Sequence, residues 1–123
     1  MRALIVDDSR TVRAIIGKTL RELGMEVAEA GNGREGVAQM HAVAGIELVL
    51  VDWNMPEMNG LEFVEAVRAE RAFDAVRIMM VTTETEHAQV MRALKAGANE
   101  YLMKPFTPDV LVAKLGLMNV LGE

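Results

Sequence analysis

Residues 48–60 read LVLVDWNMPEMNG: four apolar residues ending on Asp52, then a polar loop leading to Gly60. The run lacks the period-two alternation of a half-exposed strand. A continuous run of this length, stopped by a charge, suits a strand buried on both faces of a parallel sheet.

The same texture recurs on either side. ALIV at 3–6 runs into Asp7-Asp8, VRIMMV at 76–81 into Thr82-Thr83, and EYLM at 100–103 into Lys104-Pro105, with a weaker run at 27–30. Between these lie segments with helical spacing. Val12, Ile15, Ile16, Leu20 and Leu23 recur at three- and four-residue intervals and form one apolar stripe. Gly24, Gly45 and Gly97 each follow such a segment, where a positive φ ends a helix. Asn32 followed by Glu35 resembles a capping box, and Thr107-Pro108 places a capping hydroxyl before a first-turn proline. The pattern predicts strands at 2–7, 25–30, 46–52, 76–82 and 98–103. Helices are predicted at 9–23, 33–44, 60–71, 86–96 and 107–121. Five strands alternating with five helices imply right-handed crossovers and a doubly wound α/β sheet, one domain over residues 1–123.

Composition narrows the class. The chain has 123 residues, 51% of them hydrophobic and 25% charged, with net charge −5. That balance describes one globular domain, and the acidity disfavours nucleic acid as a direct partner. With no cysteine, a disulfide framework, a thiolate metal site and a cysteine nucleophile are excluded. No run approaches the ~20 apolar residues of a membrane span, and the apolar start is too short for a signal peptide, so a cytoplasmic protein without membrane contact is expected.

What ends the strands points to chemistry. The carboxyl edge of an open α/β sheet is where ligands bind, and four strands deliver polar residues there. Asp7, Asp8 and Asp52 would gather at neighbouring strand ends. Two like charges ~4 Å apart repel by about 4 kcal/mol at an effective dielectric near 20, so the cluster must protonate, find cations or bind a metal. Oxygen ligands without histidine or cysteine favour Mg²⁺, with Mn²⁺ able to substitute. Lys104 supplies a further positive charge and Thr82 a hydroxyl. These parts suit phosphoryl transfer, which needs positioning and charge neutralisation, and a carboxylate can itself accept the group. The residues alone do not say which aspartate accepts.

VDDS at 6–9, VDWNMPEMNG at 51–60, VTTE at 81–84 and KPF at 104–106 together resemble the receiver-domain family of two-component response regulators, in its single-domain chemotaxis form. Any one of these motifs is weak; all four in order, each at a strand end, are specific, and the likeness spans the whole chain.

The resemblance implies a flavodoxin-like five-stranded parallel sheet of order 2-1-3-4-5 with five helices. It implies Asp52 as phosphoacceptor, Asp8 as a direct Mg²⁺ ligand with Asp7 close by, and the backbone carbonyl of Asn54 as another ligand. Lys104 would pair with the phosphoryl group, and its bond to Pro105 would be cis. Thr82 and Tyr101 would form the switch, with Tyr101 turning inward when Thr82 is drawn toward the phosphoryl oxygen. Asn54, Thr83 and Glu84 would modulate hydrolysis; Thr83 is a departure, since the family usually has a small residue there. A histidine kinase would donate the phosphoryl group, and a downstream protein would bind the face of residues 86–121. A monomer or weak dimer is expected, assisting its own phosphorylation and dephosphorylation without being an enzyme.

Plainer readings stand beside these. Asp8 or Ser9 caps the first helix, Thr82 and Lys104 are ordinary strand-end residues, and Tyr101 is merely half-buried. The methionines fill the core, Trp53 is a spectroscopic reporter, and His41 and His87 are lone and exposed. Three rivals remain at this level. An aspartate-nucleophile phosphatase of the haloacid-dehalogenase kind wants a D-x-D spacing that VDDS lacks. A flavin-mononucleotide carrier wants a hydroxyl- and glycine-rich loop where DDSRT stands. The third is a receiver cut from a longer regulator, against which the initial Met and full set of elements argue.

Overall fold

The computed structural model describes residues 1–83 and 87–118, the side chain of His87 excepted. Five strands, β1 (Arg2–Val6), β2 (Glu26–Ala30), β3 (Ile46–Asp52), β4 (Arg77–Thr82) and β5 (Glu100–Met103), form one parallel sheet in the order β2-β1-β3-β4-β5. Helices α1 (Arg10–Glu22), α2 (Gly33–Ala42), α3 (Gly60–Arg68), α4 (His87–Ala96) and α5 (Pro108–Leu117) alternate with them. This is the doubly wound, flavodoxin-like sheet the strand endings imply.

The central strands have side chains buried on both faces, which explains their unbroken apolar runs. Leu4, Val6, Val49, Val51, Ile78 and Met80 pack under α2, α3 and α4 around Phe63, Val64 and Ala93. Ala3, Ile5, Leu48, Leu50, Met79 and Val81 point the other way, under Ile16 and Leu20 of α1 and Leu111 and Leu115 of α5. Successive residues of one strand thus serve opposite cores.

Helix ends follow local chemistry. Gly24, Gly45 and Gly97 have φ of 90°, 78° and 120°, the left-handed region that favours glycine. Ser9, not Asp8, caps α1: its side chain accepts from the Val12 amide. Thr107 caps α5 through the Val110 amide, with Pro108 at its first turn. At Asn32 only half of the capping box forms. Its side chain accepts from the Glu35 amide, but the Glu35 carboxylate reaches past it to the Gly31 amide. The reciprocal box lies at Asn59–Glu62, opening α3.

Other expectations need adjusting. The chain leaves α3 at Arg68 and makes a separate 3₁₀ turn at Arg71–Phe73, where one helix to 71 was expected. The α1 stripe is narrower than its spacing suggests. Ile16 and Leu20 are buried, but Ile15 and Leu23 are 49% and 39% exposed. His41 is exposed but not alone: its Nε2 lies 2.9 Å from a Glu70 carboxylate oxygen. Met79 and Met80 are core residues as expected.

Candidate functional site: an acidic cluster at the carboxyl edge

The ladder continues one residue past three strands, and this fixes the site. The Asp7 amide donates to the Ala30 carbonyl (3.1 Å), the Trp53 amide to Val81 (3.0 Å) and the Lys104 amide to Thr82 (2.8 Å). Asp7, Asp52, Thr82 and Lys104 therefore sit in a row along one sheet edge, held by backbone rather than by their own side chains.

Gly60 shapes the return from Asp52. Its amide donates to the Trp53 carbonyl at 2.9 Å, and a Cβ there would run into the Asp52 carbonyl and lie 2.9 Å from Trp53 Cα. Only glycine lets α3 start this close to β3. In the intervening loop Glu57 has φ of 67°, with the Met58 amide donating to the Pro56 carbonyl at 2.7 Å.

Carboxylate oxygens of Asp7, Asp8 and Asp52 lie within 4.8 Å of one another. Asp7 and Asp52 are buried, and Asp8 is exposed. Lys104 Nζ sits between the two buried members, 3.2 Å from Asp7 Oδ2 and 3.3 Å from Asp52 Oδ1. Asp7 Oδ1 accepts from the Ser9 amide at 2.8 Å. Since Ser9 caps α1, Asp8 has no capping task. Burial pushes the Asp52 carboxyl above the ordinary carboxylate range; the charge of Asp7 adds to this and Lys104 opposes it.

These residues fit a hard divalent cation. Three carboxylates and one ammonium leave two formal negative charges, and the donors are all oxygen. Such an ion would neutralise what Lys104 cannot.

Around this centre, Thr82 is buried at 2% exposure, and Thr83 is exposed. Thr83 lines an open hollow of about 380 Å³ with Val12, Ile15, Lys104, Pro105 and Phe106. It thus shares that hollow with Lys104. Glu84 lies outside the described residues. Asn54 is exposed at the start of the β3–α3 loop, and the Lys104–Pro105 bond is cis, as expected. Tyr101 is half-buried on β5, with Lys114 Nζ 4.2 Å from its ring centroid. Trp53 is buried next to Asp52, placed to report on it.

Sequence reasoning missed Arg13. From the first turns of α1 it donates to the Asp7 carbonyl at 2.5 Å and to Glu29 at 2.9 Å, tying the acidic loop to β2. Its place one helical turn after the cap residue Ser9 is a local signal.

Known proteins resemble the chain over nearly all of its length. A family model described as the response regulator receiver domain matches residues 3–116. The chain is 52% identical to the chemotaxis protein CheY1 of Helicobacter pylori over 116 residues, 94% of each chain. It superposes on the chemotaxis protein CheY4 of Vibrio cholerae with a TM-score of 0.88 at 37% identity, covering 94% of this chain and 96% of that one. It also matches a probable two-component response regulator/GGDEF protein, with a TM-score of 0.90 at 33% identity, where all of this chain covers 51% of the other. With the sheet order, the strand-end cluster and these likenesses in hand, the chain belongs to the response regulator receiver domain family, CheY-like signalling modules rather than classical enzymes.

Proposed function

We propose that the domain is a phosphorylation switch in which Asp52 accepts a phosphoryl group from the phosphohistidine of a histidine kinase. The observation that carries this is Lys104 Nζ lodged between Asp7 and Asp52 within a three-carboxylate cluster. Asp7, Asp8, Asp52 and the Asn54 carbonyl would hold Mg²⁺, or Mn²⁺ in its place. When bound, the ion supplies neutralisation of charge on the transferring group.

An Asp52 carboxylate oxygen forms the new P–O bond. The P–N bond of the donor breaks, and its electron pair returns to the imidazole. Lys104, already at this oxygen, pairs with a phosphoryl oxygen as the charge arrives. Asp7 keeps Lys104 on station, and the Ser9 amide and Arg13 keep Asp7 and its backbone in place. Hydrolysis later returns the carboxylate, with Asn54, Thr83 and Glu84 as its modulators. The domain thus assists its own phosphorylation and dephosphorylation.

The output is a change of face. The Thr82 hydroxyl turns to the phosphoryl oxygen and Tyr101 moves inward, altering the surface of residues 86–121 for a downstream protein. The chemotaxis names of the relatives make a flagellar or chemotaxis target the first partner to try, in the cytoplasm where kinases draw on ATP. The phosphatase and the flavin carrier fare worse. VDDS gives no second carboxylate at acid/base spacing, and the acidic DDSRT loop repels a flavin phosphate.

The test is a Trp53 fluorescence titration with Mg²⁺, then with beryllofluoride, on the wild type and Asp52→Asn. Both additions should change the wild-type signal, and the second change should vanish in the variant. A full beryllofluoride response from Asp52→Asn would remove Asp52 as acceptor.

A further inference from the structure

Arg68 ends α3 with a half-buried guanidinium, and among the described residues every hydrogen bond it makes goes to a neutral acceptor. Nε donates to the Gly97 carbonyl (3.0 Å), Nη1 to Phe73 (2.9 Å), and Nη2 to Val76 (2.7 Å) and Asn99 Oδ1 (3.0 Å). These acceptors are the end of the 3₁₀ turn, the approach to β4 and the link from α4 to β5. A cation suits the free carbonyls at a helix end. Gly97 is what admits it: a Cβ there would lie 2.7 Å from Arg68 Cγ, and its φ is 120°.

Asn99 completes the fastening. Its amide donates to the Ile78 carbonyl and its Oδ1 accepts from the Ile78 amide, each at 2.8 Å. The Ala98 amide closes onto the Ala93 carbonyl at 3.0 Å. The C-terminal end of α4 is thus bound to α3 and to the start of β4, the part of that strand farthest from Thr82. The other end of α4 follows from Thr82 through a short connection, on the side of the acidic cluster. A ten-residue helix is about 15 Å long, so turning it by roughly 10° about Gly97 moves the far end by about 2.6 Å while Gly97 stays still.

We propose that Arg68 is a positioning residue for the output: it makes Gly97 the pivot of α4, so that a change at Asp52 turns the helix instead of carrying all of it away. This rests on the receiver reading above. A fixed end and a displaced end convert a small movement near Thr82 into a graded change along one face.

Hydrogen exchange resolved to single amides, with and without Mg²⁺ and beryllofluoride, tests this on the wild type, Arg68→Met and Arg68→Lys. Trp53 fluorescence on the same samples reports occupancy of the site. In the wild type, activator-dependent change within α4 and its link to β5 should be limited to the first half of the helix, leaving Ala98 and Asn99 unaltered. In Arg68→Met, those two amides should exchange at least tenfold faster, and the activator-dependent change should extend to them. The half-saturating beryllofluoride concentration should stay within threefold. Arg68→Lys, which keeps the charge without the fork, should show the same spread to a smaller degree, and it decides the matter if the methionine variant does not fold. A residue that merely stabilised the fold would lower Tm and leave the distribution of activator-dependent change as in the wild type; that result overturns the proposal, as does activator-dependent change at Ala98 and Asn99 in the wild type itself. A wild type whose Trp53 ignores beryllofluoride overturns the receiver reading instead, and the pivot with it.

Discussion

Replacing Asp52 by asparagine should stabilise the cation-free protein and weaken its response to Mg²⁺. At 4.8 Å and an effective dielectric near 20, Asp52 and Asp7 repel by roughly 3–4 kcal/mol. Asp8 is exposed, and solvent screening reduces its repulsion of Asp52 to about half of that. Lys104, 3.3 Å from Asp52, returns about 5 kcal/mol of attraction on the same basis. Attraction and repulsion nearly cancel, which leaves the burial of the Asp52 charge uncompensated, in agreement with its raised pKa.

An asparagine avoids that charge but gives Lys104 a poorer acceptor, so a net gain of about 1–2 kcal/mol is expected. For a chain of 123 residues this is a rise of about 4–8 °C in Tm. The pH dependence has a definite sign. Because the folded-state pKa of Asp52 is raised, the folded wild type holds the proton more tightly than the unfolded chain. Wild-type stability therefore falls as pH rises from the ordinary aspartate range through the raised value, and the advantage of the variant grows over that window and shrinks in acid. Mg²⁺ at a hundred times its Kd should then add about 2.7 kcal/mol to the wild type and clearly less to the variant. Thermal melts with chelator and with Mg²⁺ at several pH values decide this. A variant less stable than the wild type in chelator at neutral pH would refute the charge argument.

Three further outcomes follow from the same geometry. Lys104→Met leaves Asp7 and Asp52 facing each other and should cost about 3–5 kcal/mol in chelator, and much less in an Asp52→Asn background, measured as a double-mutant cycle by urea unfolding. Gly60→Ala drives a methyl into the Asp52 carbonyl and Trp53 Cα, so it should lose at least about 3 kcal/mol by the same assay and shift the Trp53 emission. The hydrogen bond to Glu70 raises the pKa of His41, so its contribution is complete below the ordinary histidine value and fades as pH rises through the folded one. Melts of wild type and Glu70→Gln should accordingly converge above that window.

Most of the fold was legible because each apolar run had to cross a sheet covered on both sides, and a polar residue stopped it at the carboxyl edge. The site was legible for the same reason: Asp7, Asp52, Thr82 and Lys104 each come directly after an apolar run. What stayed hidden depends on partners far apart in sequence. Arg68 looks like an ordinary last-turn arginine until Gly97 and Asn99 arrive beside it. His41 finds Glu70 only because α2 and the turn after α3 lie side by side. Ile15 and Leu23 satisfy the helical period, but α1 touches the sheet along a strip too narrow to cover them. At Asn32 the spacing of the box was right, yet the Glu35 carboxylate accepts from the Gly31 amide, one residue before the cap.

The switch depends on an Asp52 carboxylate oxygen forming the new P–O bond. Incubating the wild type with Mg²⁺ and the phosphorylated transmitter of a chemotaxis histidine kinase, then trapping with borohydride and mapping by peptide mass, reads this directly. The expected result is a single acid-stable, base-labile phosphoryl group per chain, reduced to homoserine at position 52 and absent with chelator. Labelling at any other residue, or none under conditions where Trp53 reports Mg²⁺ binding, would contradict it.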